Sequence, residues 1–349
     1  MSCHAPAQEA SASSQAALSL SAYFRFREEP SMKSLIVGAF VALALASTSA
    51  LAQSAPAYEI MAPASPGGGW DQTARAMQAT LQDSKLARNV QVVNVPGAGG
   101  TIGLAQFTAS KAGNPDALLV GGYVMVGAIL TNNSPVSLDD VTPLARLTGE
   151  DEAIVVPASS PYKTIADLAA AMKENPGAVA IAGGSAGGTD HIAAGLLAQA
   201  VGADPKAINY IAFSGGGEAL AAILGQQVAA GISGYGEFEA QVKAGTLRLL
   251  ATTGEKRVTG SEAPTLKEAG IDMALQNWRM VAGAPGITAE QKAALIANLE
   301  KMVATPEWQA VLQRNNWTNT FLAGDAFQTE LAKNIADTKK VLTAIGLVQ

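Results

Sequence analysis

Cysteine is nearly missing from these 349 residues, and the one that occurs, Cys3, excludes a disulfide framework and any cysteine-rich metal site. Charge is scarce as well. Asp, Glu, Lys and Arg make up 15% of the chain, against roughly 25% in typical soluble proteins. The 23 basic and 29 acidic residues leave a net charge of −6, which argues against a nucleic-acid-binding surface. Aromatic residues contribute 5%, and there are two histidines, His4 and His191. What the chain has in quantity is apolar side chains, 48%, and 35 glycines. Its length suggests two domains at roughly 150 residues each.

Near the amino end, Met32-Lys33 precedes the apolar run Leu35–Leu45 and then Ser47-Thr48-Ser49-Ala50-Leu51-Ala52. The run is too short for the ~20 residues of a membrane span. A basic residue, a short apolar stretch and an A-x-A ending read instead as a secretory signal peptide over 32–52, cleaved after Ala52. Residues 1–31, rich in Ala, Ser and Gln, read as an extension upstream of the physiological start at Met32. Cleavage would remove Cys3 and His4, so the exported chain has no cysteine and a single histidine. That inventory leaves little for covalent or metal catalysis.

From Tyr58 onward short apolar runs alternate with helical patterns, the mark of an α/β sheet. The expected strands are Glu59–Met61, Val90–Val95, Leu118–Gly121, Ile154–Val156, Val179–Ala182, Asn209–Ala212, Ala229–Ile232, Leu247–Ala251 and Trp278–Ala282. Thr164 with Asp167, Thr288 with Gln291, and Thr305-Pro306 are helix-start signals. Asp139-Asp140 and Asp151-Glu152 read as solvated turns. No repeat or long linker divides the chain, so two domains would be joined by short extended segments near Glu152–Pro157 and Met273–Met280.

Four glycine-rich turns stand between a strand and a helix: Pro66–Asp71, Pro96–Thr101, Gly183–Asp190 and Ser214–Glu218. A strand's carboxyl end there meets a helix's amino end, whose unpaired N–H groups and dipole favour a carboxylate or phosphate. Glycine permits close approach and the backbone angles of an anion-cradling nest. In any α/β protein one such loop is most often packing; four together point to an anion site outside the strand ends.

Enzyme motifs nearly match and then fail. Gly183-Gly184-Ser185-Ala186-Gly187 satisfies G-x-S-x-G, which makes Ser185 the candidate nucleophile of a serine hydrolase. Its only available base is His191, six residues on along the following helix and not in the distant position such enzymes use. Gly97-Ala98-Gly99 would need glycine at 102, where Ile102 stands, so the dinucleotide fingerprint fails. No phosphate-loop lysine motif and no metal-ligand cluster is present, and no cofactor is expected.

Four segments carry a family resemblance. P-G-G-G-W-D at 66–71, V-x-N-x-P-G-A-G-G at 92–100, G-G-S-A-G-G-T-D-H at 183–191 and N-W-R at 277–279 resemble the receptors of tripartite tricarboxylate transporters, also called Bug proteins. The likeness runs in order along the whole chain after the signal segment. It implies a type II periplasmic-binding-protein fold: two α/β domains, a hinge and an interdomain cleft. Residues 53–154 and 276–349 would form one domain and 155–275 the other. It implies a non-enzymatic periplasmic receptor, expected to be a monomer, that captures a small di- or tricarboxylate and delivers it to the transporter's membrane subunits. An alternative role is a sensory co-receptor presenting its bound form to a histidine-kinase ectodomain. Citrate, isocitrate, malate, succinate and aromatic carboxylates all stay open as ligands.

By motif, the ligand loops would be Gly67, Gly68, Gly69, Trp70 and Asp71 in the first half, and Ser185, Gly187, Gly188, Thr189 and Asp190 in the second. Ser214 joins them from the fourth glycine turn. Trp70 stands where many members have a hydroxyl, and would either close over the ligand or pack the helix start. Asp71 is expected to cap that helix. Arg279, on the return strand, would either clamp a further carboxylate bidentately or close an ordinary salt bridge, the commoner use of such a residue. Tyr123, and more weakly Tyr235, follow strand ends that would line the cleft.

Overall fold

The computed structural model describes residues 55–213 and 216–349; the upstream extension, the signal segment and Ser214 lie outside the described residues. The chain begins β1 (Ala57–Ala62), α1 (Gly69–Asp83), β2 (Asn89–Asn94), α2 (Thr101–Ser110), β3 (Ala117–Gly122), α3 (Tyr123–Thr131) and β4 (Thr142–Pro157). It continues through α4 (Ile165–Glu174), β5 (Ala180–Gly183), α5 (Thr189–Ala200), β6 (Asn209–Ala212), α6 (Gly216–Leu224), β7 (Ala230–Gly234), α7 (Tyr235–Lys243) and β8 (Leu247–Thr252). The last part is β9 (Gln276–Gly283), α8 (Ala289–Val303), α9 (Pro306–Arg314), β10 (Thr318–Ala323) and α10 (Gly324–Ala344).

The strands form one sheet in the order β2-β1-β3-β9-β4-β7-β5-β6, with β8 and β10 also paired to β4. β1, β2 and β3 are parallel, as are β5, β6 and β7. Each parallel trio is built from strand–helix–strand units, so its strand ends all open on one side. β4 joins the trios. From Thr142 to Asp151 it pairs with β9, and from Glu152 it pairs with β7 and β8.

Separate apolar cores sit on either side of that change of partner. One gathers Ile60, Met77, Phe107, Leu118, Trp308 and Phe327; another gathers Ile154, Ile181, Leu197, Ile232, Leu250 and Leu266. A third cluster around Val155, Ile223 and Phe238 covers the opposite face of the second half.

The helix-start signals form as the spacing predicts. Thr164 and Thr288 each close a capping box, with Asp167 and Gln291, and Thr305 accepts from the Trp308 amide with Pro306 at the first helical position. Each such cap is worth about 1 kcal/mol. Leu295, Leu299, Met302 and Val303 share the buried face of α8.

Two expectations fail. Asp151-Glu152 is no turn: both residues lie in mid-strand on β4, buried. The expected strand Ile154–Val156 is only the end of that long strand, whose earlier part is too polar to read as apolar alternation. β10 escapes the same reading, because Thr318, Asn319 and Thr320 are polar and partly exposed. Asp139-Asp140 does sit in an exposed turn, where Asp140 caps back to Ser137.

Candidate functional site

The carboxyl ends of the parallel strands from both trios face a common cleft of about 1250 Å³. Its walls include Gly67–Trp70 after β1, Gly97–Gly100 after β2, Gly184–Ala186 with Gly188–Asp190 after β5, and Ser233, Gly234 and Glu237 around the end of β7. Glu150 of β4 and Asn277 and Arg279 of β9 form the floor where the two sections join.

The first glycine loop is held by an acid. Asp71 is the third residue of α1 rather than its cap, because the helix begins at Gly69 with Gly68 in the capping position. Its Oδ2 accepts the Gly67 amide at 2.7 Å and Arg75 Nε at 2.9 Å, while Oδ1 accepts from Asn94 at 2.9 Å. Burial would raise this carboxyl, but the donors Arg75, Gly67 and Asn94 outweigh it and hold it below its ordinary range. It is 2% exposed and absent from the cleft wall. Its work is to tie the loop.

The second loop repeats the device. Asp190, the second residue of α5, accepts the Gly184 amide at 2.7 Å. Internal bonds thus consume several of the loop amides that sequence reasoning offers to a ligand. Gly67 gives its N–H to Asp71, Gly68 to Ser65, Gly187 to His191 and Gly188 to Ser185. What stays without an acceptor inside its own helix is Gly69–Asp71 on α1 and, on α5, Thr189 and His191, the Asp190 amide lying against that residue's own carboxylate.

Arg279 is 5% exposed and lies against α1's start, so close that a Cβ on Gly69 would stand 2.7 Å from Nη2. It forms the expected salt bridge, with Glu150, and stacks over the Trp317 ring, Cζ 4.7 Å from the centroid. Its Nη1, also buried, has no protein partner among the described residues. Thr189 Oγ1 is likewise buried without one.

Other expected residues fall elsewhere. Trp70 is 8% exposed, sets its ring against Gly100 at the start of α2, and also lines the cleft. Tyr123 is a core residue: it is 7% exposed, and its ring centroid lies 6.0 Å from that of Trp278. β3 turns into α3 at Gly122, which swings the ring inward instead of over the cleft. Tyr235 faces a separate groove beside Lys243 and Arg248. Gly187, with φ +76°, packs on Thr131 and off the cleft wall. Ser185 lines the cleft, but His191 cannot serve it as a base. The imidazole's Nδ1 accepts the Gly187 amide at 3.2 Å, so its proton sits on Nε2, and the ring stacks on Tyr210 at 4.0 Å. Burial pulls its pKa down to about 4.

Sequence reasoning missed an acidic group at the heart of the site. Glu152, 0% exposed, lies beside Asp190 with no protein donor on either oxygen. Burial, then the charges of Asp190, Glu150 and Glu237, drive its pKa well above the ordinary carboxylate value. Burial likewise pushes Asp190 up to about 6. Glu237, in the first turn of α7, accepts from Ser233 Oγ at 3.2 Å. Burial and the neighbouring Asp190 and Glu150 push it up to about 7. Glu150 itself takes the Gly236 amide at 3.1 Å besides Arg279. The one signal that could have found Glu237 is its position: it follows a strand end and Gly234, as the glycine loops do.

The family model described as tripartite tricarboxylate transporter family receptor matches residues 73–347. The protein BugT of Bordetella pertussis is 33% identical over 242 residues, covering 67% of this chain and 73% of its own. A TctC solute binding protein from Polaromonas, solved without ligand, is 29% identical over 83% of this chain and 99% of its own, with a TM-score of 0.65. The R. palustris protein Rpa4515, solved with adipate, has the same fold at 21% identity, a TM-score of 0.74, and coverage of 84% and 98%. With most of its length matched by that family, the chain belongs to the tripartite tricarboxylate transporter receptors, solute-binding proteins and not enzymes.

Proposed function

We propose that this receptor captures a small organic acid in the periplasm and hands it to the membrane subunits of a tripartite transporter. The observation that carries the reading is the buried Arg279 guanidinium packed against the start of α1, Nη2 nearest Gly69, with its Nη1 left without a protein partner among the described residues. A carboxylate there would accept from the Gly69–Asp71 N–H groups and from the guanidinium together, and the helix dipole adds to the attraction. The second loop would contribute the Thr189 hydroxyl and the α5 amides. Ser185 and Gly188 line the same wall.

Residues 53–154 with 276–349, and residues 155–275, are proposed to act as two lobes that close on the ligand. The single strand β4 changing partners between Asp151 and Glu152 supports a hinge there. The adipate held by the R. palustris neighbour supports a carboxylate as the ligand class. Export fits the signal-like segment 32–52. Among the described residues no helix is long and apolar enough to cross a membrane.

A panel of citrate, isocitrate, malate, succinate and adipate in thermal melts tests the reading. A ligand at ~100 times its dissociation constant stabilises by about 2.7 kcal/mol, so at least one acid raises the Tm. A shift with inorganic phosphate or a neutral sugar and with none of the acids overturns it.

A further inference from the structure

The ladder between β4 and β9 ends at Asp151 and Gln276, whose side chains bond each other at 2.7 Å. Just past that pair the chain passes between the two proposed lobes twice, at Glu152 and at Leu275, and Thr253 is bonded to both crossings. Thr253 directly follows β8, is fully buried and stands off the cleft wall. Toward Glu152, its N–H donates to the carbonyl and its Oγ1 accepts the amide, both at 2.9 Å. Toward Leu275, its carbonyl accepts the amide at 2.9 Å and its Oγ1 donates to the carbonyl at 2.7 Å. The hydroxyl thus spends its one proton on one crossing and a lone pair on the other. The next residue completes the knot: a Cβ on Gly254 would collide with the Asp151 carboxylate, so glycine lets this turn lie against the last pair of the ladder.

Resting on the two-lobe reading above, we infer that Thr253 is a positioning residue for ligand capture, its hydroxyl tying both crossings to one bending axis. The two bonds made by its own backbone would remain with any residue at 253; the two hydroxyl bonds are what threonine adds. They act where the ladder stops and the strand ends have to absorb the rotation of a closing motion. A few residues along the same strands stand Glu150, Asn277 and Arg279, the floor of the cleft. With the hydroxyl in place the two crossings bend together and the floor keeps its geometry. Without it each crossing bends by itself, and the lobes sample more orientations. Fewer molecules are then poised to capture, although no ligand contact has been removed.

Pulsed electron double resonance tests the inference, with spin labels on cysteines placed at the exposed Ile102 and Leu224, one in each proposed lobe, and Cys3→Ser removing the native thiol. Distances are recorded without ligand and with citrate, isocitrate, malate, succinate or adipate. Thr253→Val keeps the branched shape and loses the hydroxyl; Thr253→Ser keeps the hydroxyl and loses the methyl. Without ligand, Thr253→Val broadens the distance distribution about twofold, while Thr253→Ser matches the parent. Any acid that shifts the parent's distance binds Thr253→Val about fivefold or more weakly, because the capture-ready fraction has fallen, and binds Thr253→Ser within threefold. A Thr253→Val protein that melts lower with an unbroadened distribution makes the residue merely structural and overturns the inference, leaving the closing motion standing. Equal broadening in the serine variant overturns it too, since the methyl would then be responsible. A parent distance that none of the five acids shifts removes the closing motion, and this role with it.

Discussion

Arg279 lies between the Glu150 carboxylate and the face of Trp317, its Cζ 4.7 Å from that ring's centroid. Both members of the ion pair are under a tenth exposed, so each depends on the other to be tolerable in the interior. Replacing Arg279 by alanine strands the Glu150 charge, and breaking a buried pair in this way costs about 3–5 kcal/mol. Arg279→Ala therefore melts well below the wild type and binds acids weakly. The double variant Arg279→Ala with Glu150→Gln recovers most of the melting temperature, because the orphaned charge is gone, yet stays defective in binding. Melts and titrations on the three proteins separate the two roles; recovery of both together would make Arg279 merely structural.

Two glycines of the first loop make a contrasting pair. At Gly69 an added Cβ would stand 2.7 Å from Arg279 Nη2 in an ordinary helical conformation. Gly69→Ala thus folds, displaces the guanidinium and weakens acid binding at least tenfold. At Gly67, φ is +84° with open space around the missing Cβ. Gly67→Ala costs about 1–2 kcal/mol of backbone strain and lowers the melting temperature with a smaller loss of affinity. Equal losses of affinity in the two variants would count against the placement of Arg279 at the ligand.

The acid cluster sets an unusual pH dependence. Folded Asp190 titrates near 6, Glu237 near 7, and Glu152 well above the usual range, whereas unfolded Asp and Glu titrate at about 4. Above the unfolded values the native state therefore holds more protons than the unfolded chain, and stability falls as pH rises. His191 acts in the opposite sense, since its folded value of about 4 lies below the ~6.5 of a free imidazole; it adds stability as pH rises towards 6.5. Three acids against one histidine leave a net decline. Carboxyls held low, such as Asp71 and Glu268, act only at more acid pH. The unliganded protein is expected to melt higher at pH 5 than at pH 8, and Glu152→Gln to flatten the decline. A wild-type melting temperature that rises over this range would contradict the cluster's protonation.

The two halves also meet away from the cleft, where α3 approaches the loop before α5. A Cβ on Gly127 would collide with the Gly187 carbonyl, which is backbone and cannot rotate aside. Gly127→Ala is expected to wedge the two proposed lobes apart, enlarging the radius of gyration in solution scattering while each half keeps its fold. Affinity falls with it. An unchanged radius and full affinity would remove this contact from the closing motion.

Local signals were readable where physics is local. The apolar runs Leu118–Gly121 and Asn209–Ala212 became β3 and β6, and Thr164 and Thr288 capped their helices as side chain and backbone spacing require. The site was readable only in outline. Its glycine loops were visible, but not that Asp71 and Asp190 consume the amides of Gly67 and Gly184, because that depends on where each helix starts. Glu150 and Arg279 are 129 residues apart in sequence, and Glu150 and Gly236 are 86 apart. No periodicity reports such a meeting. Asp151-Glu152 misled for the same reason, since a polar pair in a strand makes sense only once β4 is seen to pass through the floor of a cleft.

The most direct measurement is a crystal structure grown with whichever organic acid raises the melting temperature most. The account predicts one ligand carboxylate on the Gly69–Asp71 amides and within hydrogen-bonding distance of Arg279 Nη1. A ligand bound outside the cleft, or inside it with Nη1 left untouched, would contradict it.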